Sequence, residues 1–525
     1  MFEYTISYAT LEHNYISYSY LRSELTLIIA LLMFLLIDIL VKNQKKSFLI
    51  NTLLFATAVV LTMYFSISEF TNHLYGPTGV FFTDFKLYFN GEIEQYGSSM
   101  LTLTKQGSFF KFLMSICALL LLVFNHLEFK VSHSKETKVE YLISITAILL
   151  GSFLLVSATH FLSLLLAIEI SSFGAYALIY FNGDVKSKEA SIKYILYGFV
   201  ATGIMVFGMS ILYALLGDLS YNALISNCMT ENNLPPALSL GIMFMCMGLF
   251  FKLAIVPMYF WVPDTFQGGP MSGIAFLSLV PKFGALGNFI LLFSYIYVSK
   301  IYDVTIQDIL LVLGVFTATI GNFFALGQTN IKRLLGYSSI AHSGFLLIAV
   351  AIMGTSGLNS VLFYALVYVF MNFLCFMTSE YFSSLSNSYN IKQWAGLGNG
   401  AVFMGVLLIL SLASLIGLPP TAGFSAKLFV FSGLIELYTS SNSSLILFVL
   451  ILALFNILIS LFYYLKIPFY LFFQKSSQLI PDNTTLLPKL QMVLVAIPLI
   501  ALFLFSEKTL VVINSINDIV KYFVQ

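Results

Sequence analysis

Four ionisable side chains, Glu169, Lys252, Lys282 and Lys427, lie inside runs of apolar residues where a charge is costly. A charge at the centre of a bilayer costs about 3 kcal/mol on insertion scales, so such groups face protein or a water path and are candidates for moving ions. An acid and several bases in series suggest proton transfer. Lysine suits that chemistry because desolvation eases the loss of its proton while a nearby carboxylate opposes it; arginine holds its proton too tightly. A lysine whose carboxylate partner approaches and withdraws is therefore a switch. At an effective dielectric of about 20, moving a unit pair from about 4 to about 8 Å changes its interaction by about 2 kcal/mol, about 30-fold in a proton equilibrium.

Each of these residues also has a plainer reading. Glu169 shares a helical face with Ser172, three residues on, so it is either a structural carboxylate bonded to that hydroxyl or the ion-pair partner of Lys252. Lys282 follows Pro281 about ten residues into its span, roughly 15 Å by helical rise, which favours function over snorkelling to an interface. Lys427 is either an exchanging group or a cap on carbonyls freed by a broken helix. His342, with an ordinary pKa near 6.5, suits a relay between lysines and equally a packing role. Lys193 is an interface lysine that can join the chain of groups, and His160 and Asp38 are peripheral.

Positioning these groups requires membrane helices. Hydrophobic residues make up 59% of the 525 and charged residues 9%, against about 45–50% and about 25% in soluble domains. Fourteen mainly apolar runs of bilayer-spanning length lie between residues 25 and 506. Among them the fifth is 161–180, the seventh 237–258, the eighth 272–296, the tenth 334–353 and the twelfth 401–436. Long runs, rather than alternating ten-residue segments, predict an all-α polytopic membrane protein and not a barrel. Pro257 interrupts the seventh helix, and Gly417-Leu-Pro419-Pro420-Thr-Ala-Gly423 interrupts the twelfth. Interrupted helices five apart point to two inverted five-helix repeats with the functional site at the breaks. The expected organisation is a three-helix segment over 1–138, repeats over 139–300 and 301–471, and a C-terminal helix and tail over 472–525. The loop 72–108 reads as a surface cap.

Placing the N-terminus on one side leaves thirteen Lys and Arg, Lys332 and Arg333 among them, in loops of the opposite side. Seven, Lys111 among them, remain on the first. By the positive-inside rule the richer side is the cytoplasm or matrix, and both termini lie on the other. Four scattered cysteines without a CxxC pair, and histidines without ligand spacing, predict no metal centre. With no phosphate loop or dinucleotide fingerprint either, no cofactor bound by this chain is expected. A net charge of +1 and the membrane character leave no place for nucleic acid; lipids are expected contacts. The N-terminal residues lack the pattern of a cleavable signal or an Arg-rich transit peptide.

The segments Leu164 to Leu178, Glu189-Ala-Ser-Ile-Lys193-Tyr, Gly248-Leu-Phe-Phe-Lys252-Leu-Ala-Ile-Val-Pro257, Trp261-Val-Pro263-Asp264, Pro281-Lys282, Asn330 to His342 and Gly417-Leu-Pro-Pro-Thr-Ala-Gly-Phe resemble the antiporter-like membrane subunits of respiratory complex I. The resemblance spans about 139–470 and is looser over the first three helices. The twelfth helix is similar to the branch carrying Pro-Pro and a lysine there, rather than the branch with Pro-Gly and a glutamate. Val256-Pro-Met-Tyr-Phe departs from the usual pattern and supplies no histidine near Pro257, and Ser425-Ala426 replaces the usual Phe-Gly.

The resemblance implies that Glu169 and Lys252 form a charge pair, Lys282 is the central relay and Lys427 stands at the distal half-channel. It further implies FMN and iron–sulfur clusters in partner subunits, and neighbouring antiporter-like and accessory subunits as contacts. Proton pumping driven by NADH oxidation and ubiquinone reduction elsewhere in the complex would follow. The implied location is the mitochondrial inner membrane, organelle-encoded with both termini in the intermembrane space, or else a bacterial inner membrane. A gradient-driven cation/proton antiporter and a structural subunit with a vestigial channel are the alternatives.

Overall fold

A computed structural model describes residues 21–41, 44–71, 85–89, 92–96, 100–128, 138–230, 234–296, 300–301, 304–474 and 486–516. The cap role expected of loop 72–108 lies outside these residues, apart from the ribbon of β1 (Phe85–Phe89) and β2 (Glu92–Tyr96) and residues 100–108. A second short ribbon pairs β3 (Lys300–Ile301) with β4 (Val304–Thr305). All else that is regular among the described residues is helix.

The N-terminal segment is α1 (Arg22–Leu40), α2 (Gln44–Thr71) and α3 (Lys105–Glu128). Then follow α4 (Lys138–Ser157), α5 (Phe161–Tyr180), α6 (Val185–Leu216), the short α7 (Tyr221–Thr230), α8 (Pro236–Leu253), α9 (Trp261–Gly268), α10 (Met271–Leu277) and α11 (Val280–Ile296). The next set is α12 (Ile306–Leu326), α13 (Ile331–Ile352), α14 (Gly354–Ser386), the single turn α15 (Leu397–Gly400), α16 (Val402–Ile416), α17 (Ala422–Ser441) and α18 (Ser444–Pro468). The last described elements are α19 (Leu486–Leu504) and α20 (Ser506–Ile516).

Thirteen spans among the described residues are long and apolar enough to cross a membrane. The fourteenth expected crossing, the twelfth in order, is divided into α16, of 15 residues, and α17. Each interruption has a backbone cause. Helix α8 stops at Ala254, whose φ of 58° is left-handed, and α16 stops at Gly417, with φ of 88°. The prolines that follow, Pro257 and Pro420, each come after a cis peptide bond.

The eighth crossing is also interrupted, which the sequence reading did not anticipate. Residues 278–279 form a turn between α10 and α11. Pro281, the second residue of α11, has no N–H and its ring crowds the carbonyl four residues back, so one helix cannot run through.

Two hydrogen-bonded staples carry the repeat. Phe161 N–H donates to the Leu219 carbonyl (2.9 Å) and Tyr221 N–H to that of Thr159 (3.0 Å). Ile331 N–H donates to Tyr389 (2.9 Å) and Ile391 N–H to Thr329 (2.9 Å), every position 170 residues further on. The N-caps His160 and Asn330 and the left-handed C-caps Gly217 and Asn387 keep the same spacing. A cap satisfies amides or carbonyls that a helix end leaves open, so its recurrence marks the same element begun twice.

The protein interior lies around α10, α11, α13 and α14. The spans Met271–Phe293 and Ile331–Ile352 are 94% buried, whereas α1 and α6 are 28% buried and expose apolar faces, as lipid contact requires. Two lysines assigned to loops from the sequence are interior. Lys111 is wholly buried within α3, and Lys332, 3% exposed, donates to the Gly269 carbonyl. Each finds an anion or a carbonyl there, and the cationic excess stays on the same side without them.

Candidate functional site

Lys282 stands at the start of α11, where the break beside Pro281 turns it into the protein. Its ammonium donates to the Ser339 carbonyl (2.9 Å), the Ser339 hydroxyl (2.7 Å) and the Ser343 hydroxyl (2.8 Å), all on α13. These three acceptors are neutral and use the ammonium's three protons. Tyr368 on α14 donates to the same Ser339 oxygen at 3.2 Å.

His342 is one helical turn along that face. Its Nδ1 meets the Tyr364 hydroxyl at 2.7 Å and its Nε2 the Tyr464 hydroxyl at 3.4 Å. Tyr464 bonds Ser338 in turn, and the Tyr368 ring lies 5.0 Å from the imidazole. Both Lys282 and Lys427 are within electrostatic reach of His342. The residue pairs 338/342 and 339/343 have the four-residue spacing that aligns side chains on a helix, so α13 carries a polar stripe between the two lysines.

Lys427, on α17, reaches back across the second break. It donates to the carbonyls of Leu415 (2.9 Å) and Ile416 (2.7 Å), the last residues of α16, and lies 5.1 Å from the Phe345 ring. It therefore caps the half-helix with charge, where the helix dipole favours a cation. Gly423 lets α17 approach so closely that a Cβ there would fall 1.8 Å from the Ser414 carbonyl oxygen, and its N–H donates to the Ser414 hydroxyl. At the first break the same needs are met by other groups: Trp261 Nε1 donates to the Phe251 carbonyl (2.9 Å) and Thr317 accepts from Val256 N–H (3.2 Å).

Lys252, in the last turn of α8, is 1% exposed, and its nitrogen has no hydrogen-bond partner. The ion pair expected with Glu169 is not formed: no contact within 4 Å joins them, although Glu169 acts on Lys252 electrostatically. Helix α6 packs against both α5 and α8. Its Tyr194 ring lies 4.8 Å from Tyr176 of α5, 5.7 Å from Phe251 of α8, and stacks on Trp261 at 4.5 Å. The hydroxyl expected to hold Glu169 is otherwise engaged, since Ser172 donates to the Ile168 carbonyl at 2.6 Å. Glu169 is half-buried on α5.

Lys193 lies outside this row. It pairs with Glu189 (2.7 Å) and with Asp264 of α9 (3.1 Å), and Asp264 also receives Arg333 of α13 at 2.6 Å. That cluster ties α6, α9 and α13 together near the cationic side.

The 170-residue spacing relates the two halves of the site. Ser339 takes the position of Glu169, His342 that of Ser172, and Tyr364 that of Tyr194. Ser339, Ser343, Tyr364 and Tyr368 were not singled out from the sequence, where hydroxyl residues in apolar helices carry no mark of their own. The register of the two staples is a signal for Ser339, which takes the position of Glu169.

Two interrupted crossings five apart, with lysines at both breaks and a third between them, define an antiporter-like polytopic membrane protein. Residues 158–460 match the family described as NADH:quinone oxidoreductase/Mrp antiporter, TM. NADH-quinone oxidoreductase subunit N of Chlorobium chlorochromatii is 31% identical over 392 residues, covering 73% of this chain and 75% of its own. A chain of the membrane-bound sulfane sulfur reductase, an archaeal respiratory membrane complex, superposes with a TM-score of 0.78 at 20% identity, covering 96% of this chain and 97% of its own. A chain of respiratory complex I from Thermus thermophilus does so with 0.70 at 22%, over 93% and 98%; at such identities the likeness concerns the fold. The chain belongs to the NADH:quinone oxidoreductase/Mrp antiporter membrane family.

Proposed function

We propose that this chain is a proton-translocating subunit of the membrane arm of respiratory complex I, an NADH:quinone oxidoreductase, and moves protons through Lys252, Lys282, His342 and Lys427. Electron transfer, with FMN and iron–sulfur clusters, belongs to partner subunits on this reading, and neighbouring antiporter-like subunits flank the chain. The relatives compared are bacterial, which favours a bacterial inner membrane; the mitochondrial expectation finds no support among them. Both termini face the outer side. The repeats correspond to 139–300 and 301–471, consistent with the duplicated staples.

The observation that carries the reading is Lys282: a buried ammonium at the centre of the fold, held only by hydroxyls and a carbonyl and followed by an imidazole between two tyrosines. Neutral acceptors satisfy the ammonium without locking in its charge as a carboxylate would. His342 can take a proton at one ring nitrogen and release it at the other, which is the use of its two distinct sites. The separated Glu169 and Lys252 are the unpaired setting of the switch. Closing that gap in response to a neighbouring subunit would hold the proton on Lys252, and opening it would release the proton toward Lys282.

The test is to solubilise native membranes gently, resolve complexes by size and locate the chain by mass spectrometry. Migration with flavin-containing, NADH-oxidising material is expected. Migration alone or only with antiporter-like chains would favour a gradient-driven antiporter instead.

A further inference from the structure

The three N-terminal helices contain a buried acid–base cluster that is not part of the central row. Lys111 of α3 meets Glu24 Oε1 of α1 at 2.6 Å, and the two side chains are 0% and 2% exposed. Glu24 Oε2 accepts from the Ser23 hydroxyl at 2.8 Å. Glu69 of α2, 8% exposed, completes the group: its Oε2 accepts from the Ser108 hydroxyl of α3 at 3.2 Å, while its buried Oε1 has no hydrogen-bond partner.

The two carboxyls are built differently. Glu24 has the Lys111 ammonium at 2.6 Å, an ion pair whose two atoms make no directed hydrogen bond, and accepts one hydroxyl, so a cation stands directly against its carboxylate. Glu69 receives one neutral hydroxyl at a longer distance and leaves an oxygen bare, although an ionised carboxylate offers about four acceptor sites. A buried charge without such partners is strongly disfavoured, and the group takes up a proton instead. The charges acting on Glu69 are Lys111, Glu24 and Arg22. Lys111 is already matched by Glu24, and Arg22 is exposed at the start of α1, where solvent screens it. Lys508 of α20 lines, with Ser66 and Ser108, an apolar cavity of about 430 Å³ beside this cluster, and it too is exposed. One proton on Glu69 leaves the buried set of Glu24, Lys111 and Glu69 neutral. Two ionised carboxylates against one ammonium would not.

We propose that Glu69 holds an exchangeable proton beside a permanent Lys111–Glu24 ion pair, forming a proton-binding site in the N-terminal three-helix segment separate from the central lysine row. The site is in mechanical contact with that row. Phe110, the neighbour of Lys111, packs 6.0 Å from the ring of Phe283, the neighbour of Lys282, so α3 and α11 are in contact there.

Infrared difference spectroscopy on the assembled complex in its native lipid tests it. The wild-type spectrum minus that of Glu69→Gln at neutral pH is expected to contain the C=O stretch of a protonated carboxyl, moving to lower frequency in D2O. Subtracting Glu24→Gln is expected to remove ionised carboxylate bands only. Should Glu69→Gln not assemble, Glu69→Asp, which keeps the acid, is expected to displace the same protonated band. Ionised carboxylate bands at Glu69 in either comparison, or a protonated band unaffected by D2O, would overturn the proposal.

Discussion

Ala254 and Gly417 occupy the same place in two copies of one device. Each ends a half-helix with a positive φ, 58° and 88°, and each is followed three residues later by proline, Pro257 and Pro420. Ten residues beyond each stands a charge, Asp264 in the first copy and Lys427 in the second. One turns to cations on neighbouring helices and the other turns back to cap its own half-helix.

Only glycine adopts that conformation freely; an L-residue there costs about 1–2 kcal/mol. Gly417→Ala also sets a Cβ 2.9 Å from the Lys427 stem, so it is expected to lower the thermal stability of the purified complex and to displace Lys427. Ala254→Gly is expected to be neutral or stabilising. Thermal unfolding of the two variants side by side should show a loss for Gly417→Ala and none for Ala254→Gly.

Lys427 has two roles that one substitution separates. Lys427→Met strands two buried carbonyls at about 1–3 kcal/mol each and is expected to reduce assembly. Lys427→Arg keeps donors at the cap but cannot release a proton in the working range, so assembly with loss of turnover is expected. Full pumping by the arginine variant, measured as protons per electron, would reduce Lys427 to a cap.

Lys282→Met is expected to assemble, because Ser343 already has a second partner in the Ser339 carbonyl at 3.0 Å, and to lower the proton-to-electron ratio by this chain's share. Ser339→Ala removes one charge-assisted hydrogen bond and the acceptor of Tyr368, about 1.5–3 kcal/mol, and is expected to slow turnover less. An unchanged ratio in Lys282→Met vesicles would remove the central lysine from the path.

Asp218 gives the connection between α6 and α7 an acid sensitivity. Hydrogen bonds from the Ser220 hydroxyl (2.5 Å), then from the backbone amides of Leu219 and Ser220, and the nearby His160 hold its carboxyl below the usual carboxylate range. A group with a depressed folded value stabilises above its unfolded value, and that contribution is lost as pH falls through the folded one. Lower amide protection at residues 217–221, taken relative to the intrinsic exchange rate at each pH, is therefore expected on acidification, and at neutral pH in Asp218→Asn.

The membrane class, the two interruptions and the buried lysines were legible in the sequence, because a bilayer imposes length and apolarity on each helix and makes every charge within it conspicuous. Proline and glycine announce breaks through local backbone chemistry that needs no partner. Which groups meet depends on how distant helices pack. The sequence could not separate Lys111 from a loop lysine, show that Tyr194 stands between Glu169's helix and Lys252's, or pick Ser339 and Tyr364 from many hydroxyls in apolar helices. Residues 57 positions apart, such as Lys282 and Ser339, share no local signal; only the tertiary placement of α11 and α13 within reach of one long side chain brings that ammonium to those hydroxyls, away from water, where their contact decides the chemistry.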